Sequence, residues 1–88
     1  MQTLKLNDLF SIGVEAENKK LRFIIFSNGD EYVCHKTTPG ELTRFFNSET
    51  EQLFKGRLQL LKNNDNILVK IKGNVEGAVS SKDLSKLI

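Results

Sequence analysis

The dipeptide Asn28-Gly29 constrains the fold of this chain more than any other feature. It lies between two runs rich in strand formers, Leu21-Arg22-Phe23-Ile24-Ile25-Phe26 and Glu31-Tyr32-Val33-Cys34-His35. Asn-Gly is the favoured pair for a two-residue type I′ turn, because both central positions need positive φ, so the segment reads as a β-hairpin. The turn sets the register. Ser27 faces Asp30, and an unbroken ladder then puts Phe23 opposite Cys34, Ile25 opposite Tyr32 and Arg22 opposite His35. Upstream, Ser11-Ile12-Gly13-Val14-Glu15-Ala16 alternates with period two, and the polar connector Glu17-Asn18-Lys19-Lys20 pairs Ala16 with Leu21, Val14 with Phe23 and Ile12 with Ile25. Together the two turns assign Ile12, Val14, Ala16, Leu21, Phe23, Ile25, Tyr32 and Cys34 to the core face of a three-stranded meander. The opposite face carries Glu15, Arg22, Ile24, Phe26, Glu31, Val33 and His35.

Thr38-Pro39-Gly40-Glu41 has the layout of a helix start: a capping threonine, proline at the first helical position and glutamate three residues after the cap. Leu42, Phe45 and Phe46 follow at helical spacing, and the stripe breaks near Asn47-Ser48, because Glu49 would fall in its middle. Ser48-Glu49-Thr50-Glu51 repeats the capping pattern and predicts a short turn ending at Leu53-Phe54. Alternation returns in residues 57–62 and 67–72 around Asn63-Asn64-Asp65-Asn66, a second hairpin. There Leu60 opposes Val69 and Leu58 opposes Ile71 on the buried side, while Gln59 opposes Lys70 and Arg57 opposes Lys72 on the other. Residues 73–79 read as a glycine-weakened strand or a bulged continuation. Residues 81–88 read as a short helix capped by Ser80 or Ser81 that docks through Leu84, Leu87 and Ile88.

The element order β-β-β-α-β-β(-β)-α predicts an α+β domain: one antiparallel sheet of five or six strands with its helices on one face. A small OB-like Greek-key barrel is the alternative, since it also inserts a helix between its third and fourth strands. No internal repeat, low-complexity tract or linker divides the 88 residues, so 1–88 reads as a single domain.

A hydrophobic fraction of 39%, with six glycines adding about 7%, is that of a globular chain and excludes a disordered tail, a collagen-like repeat and a membrane-embedded protein. The longest clean apolar run, residues 23–26, is far short of the roughly 20 residues that span a bilayer. One cysteine forms no internal disulfide, and the first residues lack a basic head followed by an apolar run. The expectation is a reduced, cytoplasmic protein with no membrane partner.

The chemistry-bearing residues are few. Cys34 and His35 are the only Cys/His proximity, and as strand neighbours they point to opposite faces, so neither a metal site nor a thiol–imidazole pair is expected. The glycines occur singly, which gives no phosphate-cradling loop, and no serine sits in a nucleophile elbow. The expectation is therefore a chain without cofactor that is not an enzyme. Glu15, Arg22 and His35 line up as cross-strand charge pairing on the sheet face.

Two surfaces remain. Ile24, Phe26 and Val33 form an apolar spot rimmed by Arg22 and Glu31, which predicts a protein–protein contact, either with a partner or with itself as a homodimer or larger homo-oligomer. Alternatively, if both hairpins share one sheet, Arg22, His35, Arg57, Gln59, Lys70 and Lys72 make a basic face for nucleic acid. The net charge of +2 is small for a dedicated nucleic-acid binder.

Overall fold

The computed structural model describes residues 1–88. The chain forms two four-stranded antiparallel meanders, each followed by a helix. The first comprises β1 (Thr3–Lys5), β2 (Phe10–Glu17), β3 (Lys20–Ser27) and β4 (Asp30–Thr37), then helix α1 (Pro39–Phe46). The second comprises β5 (Gln52–Leu53), β6 (Leu58–Asn63), β7 (Asn66–Ile71) and β8 (Asn74–Ser80), then helix α2 (Ser81–Ser85). The domain is thus α+β and antiparallel, but the single sheet of five or six strands is replaced by two sheets in simple sequence order. The OB-like barrel is likewise excluded, because neither meander has a Greek-key crossover and no strand of one pairs with the other.

Turn chemistry explains the pairing. Asn28 and Gly29 have φ of 53° and 83°, and Lys72 and Gly73 have 50° and 88°, the left-handed pairs that type I′ hairpins need. Asn18 and Lys19 form a turn of the same kind, shorter than the four-residue connector read from the sequence. Ile12↔Ile25, Val14↔Phe23 and Ala16↔Leu21 pair as expected, as do Leu58↔Ile71, Gln59↔Lys70 and Leu60↔Val69.

The β3–β4 ladder departs from expectation at one point. Ser27↔Asp30 and Phe26↔Glu31 hold, and then a bulge at Tyr32 advances β4 by one residue, giving Ile25↔Val33, Ile24↔Cys34, Phe23↔His35 and Arg22↔Lys36. A one-residue slip exchanges the two faces of a strand. Val33 is therefore a core residue at 7% exposure, Cys34 lies on the outer face and is exposed, and Tyr32 is 43% exposed. Ala16, expected in the core, is exposed near the end of β2.

One core joins both halves. Ile12, Phe23, Ile25 and Val33 from the first sheet meet Leu58, Leu60, Ile67, Val69 and Ile71 from the second, with Leu42, Phe45 and Leu84 from the helices. Thr38 caps α1, its hydroxyl accepting from the Glu41 N–H at 3.2 Å, and Ser80 caps α2 by accepting from the Asp83 N–H at 3.0 Å. The Glu41 carboxylate does not close a capping box but accepts from the Thr37 hydroxyl at 3.1 Å. The helical turn expected at residues 48–54 is absent: Ser48 takes φ 63°, and the chain enters β5. Leu87 packs on the core, whereas Ile88 is exposed.

The structure repeats although the sequence does not. In each half, a type I′ turn ending in glycine is followed by a bulge at the third residue after that glycine, Tyr32 in β4 and Glu76 in β8. Val33 and Gly77 come next, so the two outer strands are equivalent around their bulges. This equivalence makes the differences between the halves informative.

Candidate functional site

In the first half, the β1–β2 connection closes onto the bulge of β8. Asn7 Oδ1 accepts from the N–H groups of Leu9 and Phe10, both at 2.8 Å, which fixes the loop and its carboxamide. Asn7 Nδ2 then donates to the Glu76 carbonyl at 2.8 Å and to Glu76 Oε1 at 3.1 Å. The Leu6 backbone packs against Gly77 so closely that a Cβ there would lie 2.8 Å from the Leu6 oxygen. The edge of β8 is thereby latched.

In the second half, the corresponding β5–β6 connection meets β4 elsewhere. Phe54, held at φ 70°, stacks its ring on His35 at 5.2 Å and meets Phe23 edge-on at 5.5 Å. Gly56 packs on the same imidazole. The loop bonds mainly to itself: Gln52 Nε2 donates to the Phe54 carbonyl, and Gln59 Nε2 to the carbonyls of Lys55 and Gly56. Because it rests on His35 rather than on the bulge, a cleft of about 590 Å³ stays open along β4, lined by Glu31, Tyr32, Val33, Cys34, His35, Gly56 and Arg57.

Two further features define this cleft. β4 makes its backbone ladder only with β3, so its other edge is unpaired over eight residues, longer than either β1 or β5. The cations at its far side have no carboxylate partner. Arg57 and Lys72 are joined through the Lys72 N–H and the Arg57 carbonyl at 2.7 Å, and Lys72 Nζ lies 4.2 Å from the centre of the Tyr32 ring, whose neighbour Phe10 is at 5.3 Å. The acid in the cleft is already engaged: Arg22 Nη1 and Nη2 donate to the two Glu31 oxygens at 2.8 and 3.0 Å. Those bonds hold the Glu31 carboxyl below its usual pKa and the Arg22 guanidinium more firmly protonated.

The expected protein surface is only partly assembled. Arg22, Ile24, Phe26 and Glu31 share the outer face of the first sheet, but Val33 lies on the core face because of the bulge. Ile24 is only 1% exposed, with Gly13 and Cys34 flanking it across the ladder, so the apolar spot is not a surface patch. The Glu15–Arg22–His35 row is also corrected. Arg22 Nε donates to Glu15 at 2.7 Å, but its other neighbour across the strands is Lys36, while His35 turns inward.

The six basic-face residues do not share a face. Gln59 and Lys70 stand on the outer side of the second sheet, and Arg22 on the outer side of the first. His35, Arg57 and Lys72 gather at the cleft. The sequence reading missed Tyr32, Phe54 and Gly56 as site residues. The sequence carries no signal for the bulge: an unbroken ladder turns Tyr32 and Cys34 inward, the bulged one Val33 and His35, and neither set is clearly the more apolar.

No helix is long and apolar enough to cross a membrane. No protein-family model, no curated protein and no solved structure matches this chain.

Proposed function

We propose that this chain is a protein-binding module, without catalytic chemistry, that holds an extended segment of a partner along the free edge of β4. The observation that carries the reading is the open cleft beside that edge. An unpaired strand offers a ready row of backbone donors and acceptors to a peptide, and a neighbouring cleft supplies room for its side chains. Self-association is one form of the same contact, with the partner segment coming from a second copy. The site moves from the sheet face expected from the sequence to the sheet edge, because Ile24 is covered within the chain.

Cys34 gives the test. It is the only cysteine, it is exposed, and it lines the cleft. Peptides selected from a random display library on the native protein should lose binding once Cys34 carries a bulky maleimide, and their amide shift changes should concentrate at residues 31–36 and 56–57. Peptides that bind equally well to the blocked protein would place recognition elsewhere.

Nucleic acid is the second reading, favoured by Arg57 and Lys72, neither of them in an ion pair, near the exposed Tyr32. It is weaker, because Lys72 and Phe10 already lie against the Tyr32 ring that a base would stack on. A salt-sensitive shift of the same amides with an oligothymidylate, and none with peptides, would favour it.

A further inference from the structure

Within that reading, we infer that the segment bound at β4 is acidic and presents a carboxamide side chain, asparagine or glutamine, to the bulge carbonyl of Tyr32. The other half of the molecule supplies the template. Glu76 and Tyr32 hold the same bulge position, and the Glu76 carbonyl is capped at 2.8 Å by Asn7 Nδ2, with an aliphatic residue, Leu6, packed against the next residue of the strand. The fold provides no such cap at Tyr32, because the β5–β6 loop stops at His35 and bonds back upon itself. A carbonyl enclosed by an arriving segment needs a donor in place of water, and a carboxamide from a neighbouring segment is the donor this fold already uses at the equivalent carbonyl of Glu76.

Charge sets the second requirement. Glu31 is engaged by Arg22, a guanidinium it shares with Glu15 and Glu17, whereas Arg57 lines the cleft and Lys72 lies over the Tyr32 ring, neither with an acidic partner. A segment carrying net negative charge complements them, speeds encounter and disfavours basic competitors. The contact would cover more of the Tyr32 side chain, which is 43% exposed and already has Phe10 and Lys72 against its ring.

The probe is an eight-residue peptide, blocked at both ends, with the sequence of residues 3–10 carrying Lys5→Glu, so that it keeps Leu6-Asn7 and is acidic. Titrated into the labelled full chain, it should shift the amides of Tyr32, Val33, Arg57 and Lys72. Asn7→Ala in the peptide should weaken it about tenfold, the worth of one well-placed hydrogen bond. Asn7→Gln should weaken it less, and restoring Lys5 should weaken it at low salt only. Binding at β4 that ignores the Asn7→Ala change overturns the carboxamide inference while leaving the strand-edge reading intact. Shifts confined to Glu76 and Gly77 would mean that the peptide competes for the chain's own latch, and would overturn the inference. If neither this peptide nor library-selected peptides disturb β4, the strand-edge reading itself fails.

Discussion

The backbone oxygen of Leu6 lies 2.8 Å from where a Cβ on Gly77 would stand, so any side chain at this point of β8 forces one of the two backbones to shift. Two backbones meet there, and neither can swing aside as a side-chain tip would. Gly77→Ala should therefore destabilise the domain by about 1–3 kcal/mol, the range for forcing extra atoms into a packed site. Gly40 is the contrasting case, a residue of α1 with nothing within 4 Å of its Cβ position. Gly40→Ala should stabilise by about 0.4–1 kcal/mol, because alanine loses less chain entropy in a helix. Denaturant midpoints of the two variants check both signs, and similar shifts for the two would remove the steric account of Gly77.

Asn7 joins the same latch by hydrogen bonds rather than by contact. Its side chain accepts from two amides of its own loop and donates to Glu76 across the two halves. Asn7→Ala leaves the partly buried Phe10 amide and the Glu76 carbonyl without this partner, and the exposed Leu9 amide to water, at an expected cost of about 1–3 kcal/mol. Asn7→Asp separates the two roles, since a carboxylate keeps the loop bonds but cannot donate. Hydrogen exchange should show the Leu9 and Phe10 amides protected in Asn7→Asp and opened in Asn7→Ala. Equal protection in both variants would show that the loop does not depend on this side chain.

What could be read from the sequence follows the range of the interactions. Asn28-Gly29 reported its turn, the alternation from Ile12 to Ile25 reported which face is buried, and Thr38 and Ser80 reported their helix starts, because each is set by neighbours in the chain. The bulges at Tyr32 and Glu76 left no such mark. Neither carries a glycine at the extra residue, and residues 31–37 offer a plausible pattern in either phase. Whether β4 continued into β6 or turned its edge to solvent depended on contacts between distant segments, so the division into two sheets was hidden too. The cleft inherits both difficulties: it exists because a bulge re-aims β4 and because Phe54 stops against His35.

Lys62 ties the two helices together from the second sheet. Its ammonium donates to the Phe46 carbonyl at the end of α1 at 3.2 Å and to Ser81 Oγ at the start of α2 at 3.4 Å, and it lies 5.8 and 5.7 Å from the ring centres of Phe45 and Phe46. A cation near a helix C-terminus and over aromatic faces contributes about 1–2 kcal/mol in total at such a half-buried place. Lys62→Met keeps the aliphatic stem and removes the charge, so it should lower stability by about that amount, and Lys62→Ala by more. Thermal unfolding of both variants is the measurement, and a methionine variant as stable as the parent would assign the effect to packing alone.

The Arg22–Glu31 pair predicts a specific response to acid. Glu31 has its pKa lowered, chiefly by the hydrogen bonds from Arg22, while Arg22 itself stays charged throughout the accessible range. As pH falls, the unfolded chain takes up a proton at the ordinary carboxylate pKa, before the folded one does. The stabilising contribution is therefore complete above that value, shrinks as pH drops through it, and is lost once pH falls below the lowered pKa of the folded state. Glu31→Gln removes the titrating group but keeps the shape. Its melting temperature should lie below that of the parent at pH 7, and the gap should narrow steadily from about pH 5 downward. Half of the Glu31 side chain is solvent-exposed, so 1 M salt should also narrow the gap at pH 7. The cleft should respond in parallel, because protonating Glu31 weakens its bonds to Arg22 and removes the one negative charge among the residues lining the cleft. A parent–variant gap that does not change between pH 7 and pH 3 would mean that Arg22 is held by Glu15 and Glu17 alone, and that Glu31 is a bystander at the cleft.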